Sequence, residues 1–227
     1  MTAEAKTRVP LTRERIIQAA LELADANGIE SLSMRKLGQK LGFEAMSLYN
    51  HVANKDDLLE GMLDFVLAET EPPTTPGEWD DAIRKSAISV HDALRRHPWS
   101  CTLLMEARRM RPARLRYMDL LLGRLRDAGF SADTTYHAYH VLDGHIFGFA
   151  LWETGHTYTP EEASSLVERF AHAITPEAYP YLHEHAKQHM DDSARRETSA
   201  FEFGLDLIVD GLKKIHAAPL TGGDVLP

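Results

Sequence analysis

Cysteine is almost absent. The 227 residues hold one, Cys101, which excludes an intrachain disulfide framework, and nothing speaks for export. No apolar run approaches the ~20 residues of a membrane-spanning helix. The segment Met1–Thr12 lacks the apolar core of a secretion signal, so a cytoplasmic protein without a membrane partner is expected. Sustained period-2 alternation, fixed-period repeats and low-complexity tracts are all missing. Basic charge is also short: 25 Lys and Arg face 34 Asp and Glu, a net charge of −9. That argues against a chain that coats nucleic acid along its whole length. There is no HExxH, no Gly-rich phosphate loop, and no Ser/His/Asp or Cys/His set on loops. Close carboxylates such as Glu161 and Glu162 already have a structural explanation in a helix cap, so no enzyme and no cofactor are expected.

What is present is a globular composition, 44% hydrophobic and 26% charged, long enough for a substantial core in one or two domains. The charge is unevenly placed. Residues 1–55 carry eight bases and six acids, a surplus of +2, and the remainder carries −11. A basic head on an acidic body suits a protein that presents only its head to phosphate.

Apolar positions recur at three- and four-residue steps between Pro and Gly, which predicts an all-α chain of about nine to ten helices. Thr12 caps a first helix to about Asn27, stopped by Gly28. Ser33 caps a second, Met34–Leu41, stopped by Gly42. A short third covers about Ala45–Val52. Asn54 caps a fourth, to about Glu69, with Asp56 and Asp57 against the positive end of its dipole. Thr70–Pro76 is the clearest internal break. Thr75-Pro76-Gly77-Glu78 then reads as a capping box with Pro at the first helical position, opening a helix to about His97. Pro98 and Pro112 set off two more, and a long apolar helix covers about Ala132–Thr154. Thr159–Glu162 caps another, to about Ala173. Pro176–Glu197 reads as a polar, irregular connection before a last helix, about Ser199–His216. The expected division is a three-helix head at 1–55, a larger helical body at 56–217 and a flexible tail at 218–227.

Residues 33–52 have the spacing of a helix-turn-helix, whose second helix enters the major groove while the first lies across the backbone. Leu37, Leu41, Leu48 and Val52 belong to its small core, leaving Ala45, Met46, Ser47, Tyr49 and Asn50 for DNA. Ala and Met can touch a thymine methyl. Tyr49, His51 and Lys55 carry polar tips that reach phosphate oxygens. The stretch Ala19–Met62, with Gly28, Ser33-x-Arg35-x-Leu37, Leu41-Gly42 and Leu48-Tyr49-x-His51-x-x-x-Lys55, resembles the N-terminal domain of the TetR family. Trp79, Gly144-His145 and the ending FEFGLDLIVDGLKK (Phe201–Lys214) look like that family's tetracycline repressor branch. The resemblance implies a repressor released from a two-fold DNA operator by a small-molecule effector. It places Arg35 on base or phosphate, Ala45, Met46 and Ser47 on bases, and Tyr49, His51 and Lys55 on the backbone. Ala45 and Met46 stand where the tetracycline repressor has Gln and Pro, so a different operator is expected.

In the body, Phe201, Leu205, Ile208, Leu212 and Ile215 step by four and three and form an apolar seam, with Gly204 and Gly211 one heptad apart beside it. Gly144 and Gly148 form a small-xxx-small pair in the long helix. The resemblance implies that these two helices and their symmetry mates make a homodimer interface. A second face of the long helix, with His137, His140 and Phe147, is a candidate cavity wall. Ser86, Val90, Met105 and Leu120 fall near positions that line the drug pocket in that branch. Ser100–Met110 holds no histidine where the branch carries a metal-binding one, so no metal is expected and the effector is not tetracycline with magnesium. His185 and His189, four apart beside His183, have metal-ligand spacing on a helix but no evident third anchor. Two other readings remain open. The body is an enzyme or carrier with an accessory head, which turnover without DNA would reveal. Or the chain is an architectural DNA-binding protein, which a solid body core and binding insensitive to sequence would favour.

Overall fold

The computed structural model describes residues 10–74, 77–106, 111–155, 165, 169–170, 173–191 and 199–217, with backbone alone for 188–191. Among the described residues it contains ten α-helices and no strand. The head comprises α1 (Arg13–Asn27), α2 (Met34–Leu41) and α3 (Ala45–Leu48). Next come α4 (Lys55–Ala68), α5 (Trp79–Arg96), α6 (Pro98–Met105), α7 (Pro112–Asp127) and α8 (Ala132–Thr154), then α9 (Pro180–Asp191) and α10 (Ala200–Ala217).

The caps read from the sequence are in place. The side chains of Thr12, Ser33 and Asn54 accept from the backbone N–H groups of Arg15, Lys36 and Asp57, each closing a first turn. Gly28 and Gly42 end α1 and α2 at φ +76° and +75°, a region that strains a residue with a Cβ. Pro98 and Pro112 each open a helix, where the missing N–H costs nothing.

Three expectations are corrected. The helix expected after Thr75 begins at Trp79, with Glu78 before it and Gly77 at φ +134°. Thr75 and Pro76, the start of the expected capping box, lie outside the described residues. α3 ends as regular helix at Leu48; the N–H groups of Tyr49, Asn50 and His51 then return three residues, to Met46, Ser47 and Leu48. This tighter turn delivers Val52 to the core. Finally, α9 lies inside the stretch read as irregular. It is exposed along most of its described length, so its helicity carries no apolar stripe by which to read it. The helix expected from Thr159 and the tail from 218 lie outside the described residues.

α8 is the axis of the body and packs against α5, α6, α7 and α10. Its inward stripe, Ala138, Leu142, Ile146 and Ala150, is buried. Trp79 meets Phe130 edge-on at 4.9 Å and His216 at 5.7 Å. The start of α5, the α7–α8 turn and the end of α10 are thus drawn together. α4 touches both sides, packing on α1 in the head and on α5, α6 and α7 in the body.

Candidate DNA-reading head, sensing body and dimer face

The head is set by burial. Leu37, Leu48 and Val52 are fully covered against α1. The opposite side then carries Arg35 on α2, Met46 on α3, Tyr49, Asn50 and His51 in the turn, and Lys55 at the start of α4, all exposed, with Ala45 and Ser47 half-buried. Met46 is 74% exposed, unusual for so apolar a side chain in a small domain and fitting for one that meets a base edge. The turn closes tightly: the N–H of Phe43 returns to the Gly38 carbonyl and that of Gly42 to Gln39. At Gly38 an added Cβ would lie 2.7 Å from the Phe43 carbonyl oxygen, so the turn packs against bare backbone.

Arg13 clamps this unit. Its guanidinium holds both carboxylate oxygens of Asp57 at 2.8 and 2.9 Å and donates to the His51 carbonyl at 3.3 Å. Asp57 Oδ2 also accepts from the Ala53 N–H. One bidentate pair therefore joins the start of α1, the end of the reading turn and the start of α4. The Arg13 guanidinium, then the Ala53 N–H, hold the Asp57 carboxyl below its ordinary value. A carboxyl depressed on folding stabilises fully above its unfolded value, 3.8 for Asp, and that contribution is lost as pH falls through the lower folded value. The stability advantage of the native chain over Asp57→Asn is thus expected to be largest at pH 7 and to shrink below about pH 4. Urea titrations at pH 7 and pH 3 check it; a difference independent of pH would refute it.

Charged groups that sequence reasoning missed join the head to the body and α4 to the rest of the body. Asp25, in the last turn of α1, accepts from His97 Nδ1 at 2.8 Å and Trp99 Nε1 at 2.7 Å, at the α5–α6 junction. Glu69, just past α4, pairs with Arg96 at 2.9 Å and lies 3.6 Å from His97. Glu60 on α4 meets Arg111 and the Ala113 N–H, and Asp64 pairs with Arg116. Asp25 carried one local signal: an acid at the negative end of a helix is unfavourable unless something receives it.

In the body, Ser86, Val90 and Phe147 are buried in the core. Leu120 lines, with Tyr117, Ala113, Leu67 and Pro72, a cleft of about 460 Å³ between α4, α7 and residues 70–73. Met105 is exposed at the end of α6. His137 and His140, expected on a cavity wall, are exposed. They lie on the side of α8 away from its buried stripe, His140 donating to the Tyr136 carbonyl and His137 standing 3.9 Å from Asp133. Sequence reasoning missed the polar centre of the bundle, where Arg114 Nη2 donates to Asp143 Oδ2 at 2.5 Å and to the Tyr139 hydroxyl at 3.2 Å. Glu153 is engaged by His91 at 2.8 Å and Arg95 at 3.7 Å. Burial lowers the His91 pKa although Glu153 pulls it upward. Burial lifts the Cys101 thiol to about 11, leaving it unreactive at neutral pH. His183 donates to the Ile174 carbonyl, and the His189 side chain lies outside the described residues. Among the described residues no group of three or more His, Cys, Asp or Glu is placed to hold a metal.

The apolar seam of α10 needs correction. Phe201, Leu205 and Leu212 are buried inside the protomer, which leaves them no surface for a partner. Phe201 is stacked between His91 and His145, its centroid 3.7 and 4.8 Å from theirs. Gly204 makes room for His145, which a Cβ would approach to 2.5 Å. The outward face is Phe203, Leu207, Gly211 and Ile215, at steps of four, with Ile208 half-buried beside it; of the expected seam Ile215 lies on this face, with Gly211 next to it. On α8, Val141, Gly144 and Gly148 also face outward, and nothing within 4 Å meets a Cβ added at Gly144, Gly148 or Gly211.

A helix-turn-helix head clamped to an all-helical body defines a one-component DNA-binding regulator. The chain belongs to the TetR family: residues 16–62 match the family "Bacterial regulatory proteins, tetR family" and residues 71–216 match "Tetracyclin repressor-like, C-terminal domain". The class D tetracycline repressor of Escherichia coli is 33% identical over 95% of this chain and 96% of its own. The repressor DrrR1 of Streptomyces coeruleorubidus is 30% identical over 91% and 79%. The structure of ActR from Streptomyces coelicolor in complex with actinorhodin superposes with a TM-score of 0.68 at 26% identity, covering 92% of this chain and 100% of that one. Among the described residues no helix is long and apolar enough to cross a membrane.

Proposed function

We propose that the chain is a cytoplasmic homodimeric repressor that reads a two-fold operator with its head, residues 1–55, and releases it when a small molecule binds the body, residues 56–217. It acts by binding rather than catalysis. The observation that carries this is the head itself, where the TetR-type residues Arg35, Ala45, Met46, Ser47, Tyr49, Asn50, His51 and Lys55 all lie at or near one surface while the leucines between them are buried. Outward faces of α8 and α10, apolar and relieved by Gly144, Gly148 and Gly211, support pairing of two protomers. Two heads then reach successive major grooves about 34–36 Å apart. α4 is the lever: it begins at Lys55 on the reading surface and ends at Ala68, with Glu69 just past it beside His97. An effector shifts the operator equilibrium only by its difference in affinity for the two head spacings.

Operator selection from random duplexes, followed by gel-shift titration at several salt concentrations, tests the reading. A two-fold site is expected. Lys55→Ala should weaken all sequences alike and reduce the salt slope by about 1, whereas Tyr49→Ala should cost roughly tenfold or more. No enriched sequence, with salt-sensitive weak binding alone, would overturn it.

A further inference from the structure

The body interior holds charge that the protein leaves half-used. Arg114 and Asp143 have side chains only 12% and 13% exposed. One edge of the pair is made, yet Arg114 Nη1 and Asp143 Oδ1 are buried without a hydrogen-bond partner, as is the hydroxyl of Tyr117, a residue 6% exposed. Buried polar groups are normally satisfied, and a half-satisfied ion pair is worse than an apolar core. The guanidinium also lies 4.3 Å from the Phe147 ring centroid and 5.7 Å from that of Tyr117. Tyr117 belongs both to this cluster and to the wall of the 460 Å³ cleft.

Resting on the reading that the body binds an effector, we propose that Arg114, Asp143 and Tyr117 are its recognition centre, and that the ligand is uncharged, largely aromatic and carries a hydroxyl beside a carbonyl. The polar groups dictate this class. Asp143 Oδ1 needs a donor, which the ligand hydroxyl supplies. Arg114 Nη1 and the Tyr117 hydroxyl need an acceptor, which the carbonyl supplies; burial raises the Tyr117 pKa, so the phenol keeps its proton. The ion pair already neutralises itself, so a charged ligand would bring uncompensated charge into a buried site. The apolar part of the ligand occupies the cleft of Leu67, Pro72 and Leu120, and its polar edge reaches past Tyr117.

The test is calorimetric titration of the full chain with 3-hydroxyflavone and with 3-methoxyflavone, which keeps the carbonyl and loses the donor. The hydroxyl compound is expected to bind about tenfold tighter or more. Tyr117→Phe should remove most of the affinity for 3-hydroxyflavone while leaving the urea midpoint of the free protein unchanged or higher, because that hydroxyl has no partner to lose. A purely structural role for Tyr117 would move the midpoint and not the binding. Equal affinity for the two flavones, binding of neither, or a Tyr117→Phe variant that binds like the native chain overturns the proposal. Gel shift on the same preparation separates the two readings: operator binding without flavone discrimination sinks this inference alone, whereas loss of operator recognition in the native chain sinks the regulator.

Discussion

Arg114→Ala is expected to lose about 3–5 kcal/mol of unfolding free energy, because it strands the Asp143 carboxylate in the bundle. Both side chains are close to nine-tenths buried, so solvent does little to soften the loss. The truncation also removes the cation over the Phe147 ring and the donor to the Tyr139 hydroxyl, which add to it. The paired replacement Arg114→Met with Asp143→Leu should recover most of the loss, since an apolar pair of similar volume replaces two desolvated charges. Urea denaturation of the three chains decides the matter. A double variant as unstable as the single one would mean that the ion pair itself, and not the stranded charge, holds α7 to α8.

The second large effect concerns assembly. Leu207 is 61% exposed on the outward face of α10. Leu207→Glu should leave the protomer folded and abolish the dimer, because the symmetry of a two-fold interface places the new charge in it twice. Operator affinity should then fall by roughly a thousandfold, since a single head reads one half-site. Leu205→Glu, two residues away but buried, should unfold the protomer instead. Sedimentation velocity with circular dichroism distinguishes the cases. A Leu207→Glu protein that remains dimeric would place the interface elsewhere.

The contrast between Leu205 and Leu207 shows where reading a sequence stops. Periodicity identified α10 as an amphipathic helix and named its seam of Phe201, Leu205, Ile208, Leu212 and Ile215. It had no means of saying whether that seam meets α5 and α8 of the same chain or a second chain, because both are apolar surfaces. The exposure of His137 and His140 was not legible for a related reason: α8 is apolar nearly all round in sequence, so spacing alone could not assign which of its faces is covered. The head was far more legible. Thr12, Ser33 and Asn54 cap their own first turns, and Gly28 and Gly42 end helices by local backbone geometry, so neighbours in sequence were sufficient. The exposed set around Met46 and Tyr49 followed from the burial of Leu37, Leu48 and Val52.

The sequence by itself therefore determined the helices with local caps, the helix-turn-helix and its outward residues, the all-helical class and the family. Tertiary structure alone decided what joins parts distant along the chain. That includes Arg13 on Asp57, Asp25 on His97 and Trp99, Arg114 on Asp143, and the outward face of α10. Caps and turns are written in contacts between residues three or four apart. An ion pair between residues 44 or 72 apart exists only once packing has brought two helices together, and no local pattern announces it.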